Sequence, residues 1–244
     1  MSNLEGIGNG GKLLQKHTAS HHCVGCPAAG RNVLEGLLGE SSASCGFDSL
    51  AVEARSTLPA SWLGRYAFAI VRRGYLIRQR TDAAGRTTSI DAMGPGCSFP
   101  LDRQGSNPED SSISGYAVTR ALVCLCDEET IVRGLSEGGD TAVHVHQLDA
   151  EVIRRMERLA DARGRGGAAS KVAALLCSLA DTLRPGGDGD STIPAEFLQR
   201  DLAGLLSIRH ESVCRVMRDF AKEGLIERGD TGIRLTGREA LQAM

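Results

Sequence analysis

Eight cysteines carry most of the chemical potential in this sequence: Cys23, Cys26, Cys45, Cys97, Cys124, Cys126, Cys177 and Cys214. Cys23 and Cys26 form a C-x2-C pair, a spacing that lets two thiolates hold one metal or cluster from a single turn. Thiolates are soft, anionic ligands that suit iron–sulfur clusters or zinc. Where structural disulfides are disfavoured by a reducing compartment, clustered cysteines point to metal or redox chemistry instead. Cys177 stands at helical core spacing among apolar residues, so packing is its expected role. His17, His21 and His22 lie near the pair, and His144 and His146 flank Val145. Imidazoles there would suit a metal or haem, but histidines in a polar leader are more simply read as solvated.

A second chemistry is written near the C-terminal end. His210, Glu211, Cys214 and Arg215 recur at i, i+1, i+4 and i+5 and therefore share one helix face. Val213, Val216, Met217 and Phe220 fall on the other side, where Leu202, Leu205 and Leu206 would receive them. Between 209 and 222 four basic residues (Arg209, Arg215, Arg218, Lys222) stand against two acidic ones (Glu211, Asp219). Arg215 has the planar fork that matches guanine N7 and O6, and Glu211 can accept from a cytosine amino group. His210 can reach a base edge or a phosphate. Arg209, Arg218, Lys222 and Arg234 suit phosphate contacts, which position without specifying sequence. The plainer alternative is a surface helix with solvated charges.

These residues need elements to position them. The pattern predicts a helix over 199–206, a corner at Ser207-Ile208, and a helix over 210–223 closed by Gly224. Short strands at 225–227 and 232–235 follow. Helix, corner, helix and hairpin together make a winged helix-turn-helix that reads double-stranded DNA. Upstream, 66–71 and 75–80 read as strands with Arg72-Arg73-Gly74 as the turn between them. Residues 87–90 and 115–126 also have strand character, the look of a small β-roll. Helices are expected over 127–136, 149–163 and 168–183. In the second, Ile153, Met156 and Ala160 form a stripe with Leu159 beside them, which would pack on the same chain or on a twin helix. The expected division is a cysteine-bearing segment (1–45), a β-roll (46–135), a dimerisation helix region (136–167) and the winged unit (168–244). The fold class is α+β.

Composition narrows the rest. Among 244 residues the net charge is −2, so any nucleic-acid contact must come from a local patch. No run of about 20 apolar residues suggests a membrane span. Residues 1–16 lack the apolar core of a secretory signal, and a cytoplasmic location is expected. Paired catalytic carboxylates, a Ser-His-Asp set and a phosphate-cradling glycine loop are all missing, so no enzyme is expected.

The run from Arg200 to Phe220 (RDLAGLLSIRHESVCRVMRDF), continued by Glu223-Gly-Leu-Ile226 and the wing, resembles the DNA-binding signature of the CRP/FNR superfamily of bacterial transcription regulators. The roll from Tyr66 to Cys126 and the helix after it are similar to that family's cyclic-nucleotide-binding-like sensor domain and dimerisation helix. The resemblance spans roughly residues 64 to 244. It implies a homodimer on a palindromic operator, with Glu211 and Arg215 reading bases and His210 and Cys214 tuning the half-site. An activator would also have RNA polymerase as a partner.

Family members that bind cyclic nucleotides carry Gly-Glu followed by Arg-Ser or Arg-Thr in the roll. Gly96 to Gly115 has no such arrangement, so no cyclic nucleotide is expected. The oxygen-sensing FNR type holds a [4Fe–4S] cluster with an N-terminal cysteine group and one roll cysteine. That likeness implies Cys23, Cys26, Cys45 and Cys124 as ligands. Cys97 is the alternative to Cys45, which lies further along than the family spacing, and Cys126 is the alternative to Cys124. Zinc would satisfy the same donors. The alternative signals for the same fold are haem, a small effector, or thiol oxidation at Cys124 and Cys126.

Overall fold

Two sheets built from β-branched and aliphatic runs form the N-terminal half of the computed structural model, which describes residues 14–17, 48–58, 66–101, 112–137, 140–183 and 192–244. The first sheet joins β1 (Leu14–His17), β2 (Asp48–Val52), β8 (Ala121–Cys126), β3 (Phe68–Arg73) and β6 (Ser98–Pro100), in that order. The second joins β5 (Thr87–Met93), β4 (Leu76–Thr81) and β7 (Ser112–Ala117). All pairs are antiparallel. Leu50, Val71, Phe99, Val123 and Leu125 of the first sheet share one apolar core with Leu76, Met93 and Ala117 of the second. This is a roll closed by the alternation of inward and outward side chains.

The turn expected at Arg72-Arg73-Gly74 is placed differently. Arg72 and Arg73 belong to β3, and β3 and β4 enter different sheets rather than pairing as a hairpin. Gly74 makes that switch with φ 80°, where a side chain would strike the Arg120 carbonyl oxygen. The true hairpin is β4–β5. Asp82 Oδ1 accepts from the backbone N–H of Ala84 at 3.0 Å and of Arg86 at 2.9 Å, closing its turn.

Glu128 and Glu129 open α1 (Glu128–Glu137), where the helix dipole favours acid. The next helix, α2 (Asp140–Gly164), begins nine residues before the expected 149. Its inner face buries Leu148, Val152, Arg155, Leu159 and Ala162. Leu159 thus separates from the stripe it was expected to flank. Ile153 and Met156 turn outward, 55% and 40% exposed, with Ala160 also outward. Arg155, a charged residue, points into the molecule with the inner-face residues.

Gly164 and Gly167, the latter at φ 87°, end α2 and redirect the chain into α3 (Ala168–Thr182). The break is clasped: Lys171 Nζ donates to the Arg163 carbonyl at 2.6 Å, while Arg163 Nε donates to the Leu205 carbonyl at 2.7 Å and Nη2 to that of Ser89. Beyond α3 come β9 (Thr192–Pro194), α4 (Gln199–Leu206), α5 (His210–Lys222), β10 (Ile226–Gly229), β11 (Gly232–Leu235) and α6 (Arg238–Gln242). Strands β10, β11 and β9 form a three-stranded sheet.

The C-terminal unit does not have a separate core. Ile77, Ala92 and Val118 of the roll belong to the same apolar cluster as α3, α4 and α5. Tyr75 meets Phe197 edge-on, with ring centroids 5.9 Å apart. Arg55 Nη1 also bridges to Asp201 Oδ2 of α4 at 2.8 Å. Among the described residues no helix is long and apolar enough to cross a membrane.

Candidate nucleic-acid interface and thiol positions

Two features of α4 and α5 set the interface. Ser207, between the helices, takes the left-handed conformation (φ 55°, ψ 41°), which turns the chain within two residues. Val213, Val216, Met217 and Phe220 are buried beside Leu202, Leu205 and Leu206 in one cluster. Each such side chain contributes about 1.5–3 kcal/mol when fully buried. That packing fixes the rotation of α5 and so decides what faces outward.

Outward are Arg209, His210, Glu211, Arg215, Arg218 and Lys222, all exposed, with Cys214 half-buried between them. The i, i+1, i+4, i+5 set therefore occupies one surface. Cys214 Sγ donates to Gln199 Oε1 at 2.8 Å and lies 3.4 Å from His210 Nε2. Gly224 closes α5 at φ 70°, and Leu225 N–H donates to the Phe220 carbonyl at 2.9 Å, the six-to-one bond of a glycine-capped helix end.

The wing stands beside the start of α5. Arg234 pairs with Glu227 across β10 and β11. A groove of about 520 Å³ runs between the wing and the N-terminal ends of α4 and α5, lined in part by Gln199, Arg200, His210 and Arg228. Gln199, Arg200 and Arg228 were not singled out in the sequence. Their sequence signal is weak: Arg228 sits beside the Gly229 turn, and Arg200 precedes a buried aspartate in a helix marked mainly by its apolar face.

The thiols divide between described and undescribed parts of the chain. Cys23, Cys26 and Cys45, with His21 and His22, lie outside the described residues. Cys124 is half-buried on β8, opposite Ser49 of β2 and Ile70 of β3. Cys126, two residues on, is buried and opposite Phe68. Cys97 is buried in the turn before β6, its Sγ 4.0 Å from the Thr182 carbonyl. Burial pushes the Cys97 thiol up, against the pull of nearby Arg155. Cys177 is buried inside α3, where burial again raises the thiol. Among the described residues no three His, Cys, Asp or Glu side chains converge as a metal site.

Comparison with known proteins agrees with this geometry. Residues 170–244 match the Crp-like helix-turn-helix domain. No curated protein matches the chain. Among solved structures, FixK2 from Bradyrhizobium japonicum is 19% identical with a TM-score of 0.65, the match covering 81% of this chain and 96% of that one. A CooA mutant from Carboxydothermus hydrogenoformans is 15% identical with a TM-score of 0.64, covering 87% and 94%. A transcriptional regulator of the CRP/FNR family from Thermus thermophilus is 21% identical with a TM-score of 0.51, covering 80% and 96%. By sequence the last third of the chain matches a Crp-like helix-turn-helix domain, and by fold the chain resembles the CRP/FNR regulators over most of its length.

Proposed function

We propose that the chain is a homodimeric transcription regulator that reads double-stranded DNA through α5 and its wing. The observation that carries this is the division of α5, with its apolar half buried against α4 and its polar, basic half exposed beside a hairpin. In that role Glu211 and Arg215 read base edges in the major groove, and His210 and Cys214 tune the half-site. Arg209, Arg218, Lys222 and Arg234 contact phosphates, joined by Arg228 at the wing. The outward stripe of Ile153, Met156 and Ala160 on α2 supports self-association through that helix, and a two-fold dimer implies a palindromic operator. Selection from a random duplex library, followed by binding curves for the wild type and Arg215→Ala, tests the reading. Recovery of a palindrome whose preference relaxes at one base pair per half-site is expected. Binding without sequence preference in the wild type would overturn it.

For the signal, we infer a [4Fe–4S] cluster on Cys23, Cys26, Cys45 and Cys124, responsive to oxygen, nitric oxide or redox state. The register of β1 supports it: His17 lies opposite Ser49, and Ser49 lies opposite Cys124. Those two strand spacings amount to about 10 Å. Cys23 follows His17 by six residues, which extend to at most about 20 Å, so the leader pair is within reach of the roll thiol. Cys124 is half-buried, so its thiol is not sealed in the apolar core. Such a cluster would supply an oxidant-labile centre. Strand β8 runs through Asp127 directly into α1, so restraint of Cys124 bears on the helices that follow. Iron and acid-labile sulfide analysis of protein prepared without oxygen tests this. Both are expected in the wild type and absent from Cys23→Ser/Cys26→Ser, whereas colourless wild-type protein free of iron would overturn it.

A further inference from the structure

A polar cavity of about 370 Å³ lies where three parts of the fold meet: the turn before β6, the middle of α2 and the last turn of α3. Its size is at the lower end of small-ligand sites. Three arginines of α2 line it, Arg154, Arg155 and Arg158, against two acids, Glu151 and Asp181. Asp181 already accepts from Arg238 Nη2 at 2.6 Å. Glu151 is the carboxylate left to answer Arg154 and Arg158, and among the described residues neither of those arginines forms an ion pair.

Arg155 gives the cavity a fixed cation. Its side chain is 7% exposed; Nε donates to Asp91 Oδ2 at 3.0 Å and Nη2 to the Ser98 carbonyl at 2.6 Å. Its Nη1 is buried and has no hydrogen-bond partner. Buried donors are nearly always satisfied, so an unmatched one beside a cavity calls for an acceptor. Guanidinium groups pair with carboxylate and phosphate oxygens through parallel N–H donors. Arg154 and Arg158, one helical turn apart, can close on such a group from the rim.

We propose that this cavity binds a compact oxyanion, a phosphate or carboxylate group, through Arg154, Arg155 and Arg158. The ligand ties α3 to the roll, because Thr182 and Cys97 line the same space. The inference does not depend on the DNA-binding reading.

Calorimetric titration of the full chain with inorganic phosphate and separately with succinate, at ionic strength matched by chloride, tests it. The two arms decide which oxyanion is preferred. Saturable binding of at least one is expected, together with a raised melting temperature. Arg154→Ala/Arg158→Ala should weaken it at least tenfold while leaving the unliganded melting curve nearly unchanged, since both side chains are exposed. Glu151→Gln should strengthen it several-fold by removing the opposing carboxylate. Arg209→Ala/Arg218→Ala should leave it unchanged. Three results would overturn the site: no saturable binding of either anion, binding that survives loss of Arg154 and Arg158, or binding abolished by the α5 substitutions, which would put the anion on the other basic face.

Discussion

Arg155 of α2 and Asp91 of β5 form an ion pair 64 residues apart in sequence, with Nε 3.0 Å from Oδ2 and both side chains almost wholly buried. The pair fastens the long helix to β5, an edge strand of the roll's second sheet. Removing one partner of a buried pair leaves the other uncompensated, which typically costs about 3–5 kcal/mol. Asp91→Ala is therefore expected to lose stability of that order in urea unfolding. Asp91→Val with Arg155→Met should recover only part of the loss, because buried Arg78, opposite Asp91 on β4 and attracted by it, keeps its charge.

The base contacts proposed for α5 would have a distinct signature from the proposed phosphate contacts. Arg215→Ala should cost about 1–3 kcal/mol at one base pair and flatten preference there. Arg218→Ala should weaken all duplexes alike and reduce the salt dependence of binding by about one phosphate contact. Anisotropy titrations on matched and single-mismatch operators across a salt series separate the two.

Self-association should depend on the outward face of α2. Ile153 and Met156 are exposed in the single chain, where they contribute little to its own core. Ile153→Glu/Met156→Glu is expected to give a folded monomer by sedimentation, with circular dichroism unchanged. A dimer that persists would move the interface elsewhere.

The turn between β4 and β5 carries a pH dependence. Backbone N–H donation from Arg86, followed by its side chain and the Ala84 N–H, holds the Asp82 carboxyl below its ordinary value of 3.8. A lowered folded-state value means the contribution is complete above the ordinary value and is lost as pH falls through the lowered one. A carboxyl-detected NMR titration should find the Asp82 midpoint below 3.8, and Arg86 amide protection should fade through that midpoint.

Thiol reactivity should follow burial. Cys97 and Cys177 are each 8% exposed, and burial raises both thiols. Cys214 is half-buried on the α5 surface. Alkylation of the folded protein at neutral pH, read by peptide mass spectrometry, should label Cys214 roughly tenfold or more faster than either.

Local periodicity carried the reading of the C-terminal unit. Helix faces repeat every three to four residues, and the apolar set of Val213, Val216, Met217 and Phe220 specified which side of α5 is buried, with Leu202, Leu205 and Leu206 as its partners. Gly224 marked the cap by residue type, whereas the left-handed turn at Ser207 is one that serine seldom adopts and its type does not announce. The strands were legible as strands but not as neighbours. Nothing local to residues 66–80 says that β3 and β4 part into two sheets, because pairing depends on β8, β6, β5 and β7, all contributed from later in the chain.

The same distinction governs α2. Its pattern alone could not tell an inward stripe from an outward one, since Val152, Leu159 and Ala162 compete with Ile153, Met156 and Ala160 at neighbouring angles. The roll decided it by supplying Asp91, which drew Arg155 inward and turned Ile153 and Met156 to the surface. Residue type and helical spacing therefore determined which face of α5 is buried and which is polar and exposed. Sheet order, the burial of Arg155 and the three-way cavity were decided by tertiary contacts, because each depends on groups brought together only when distant segments close.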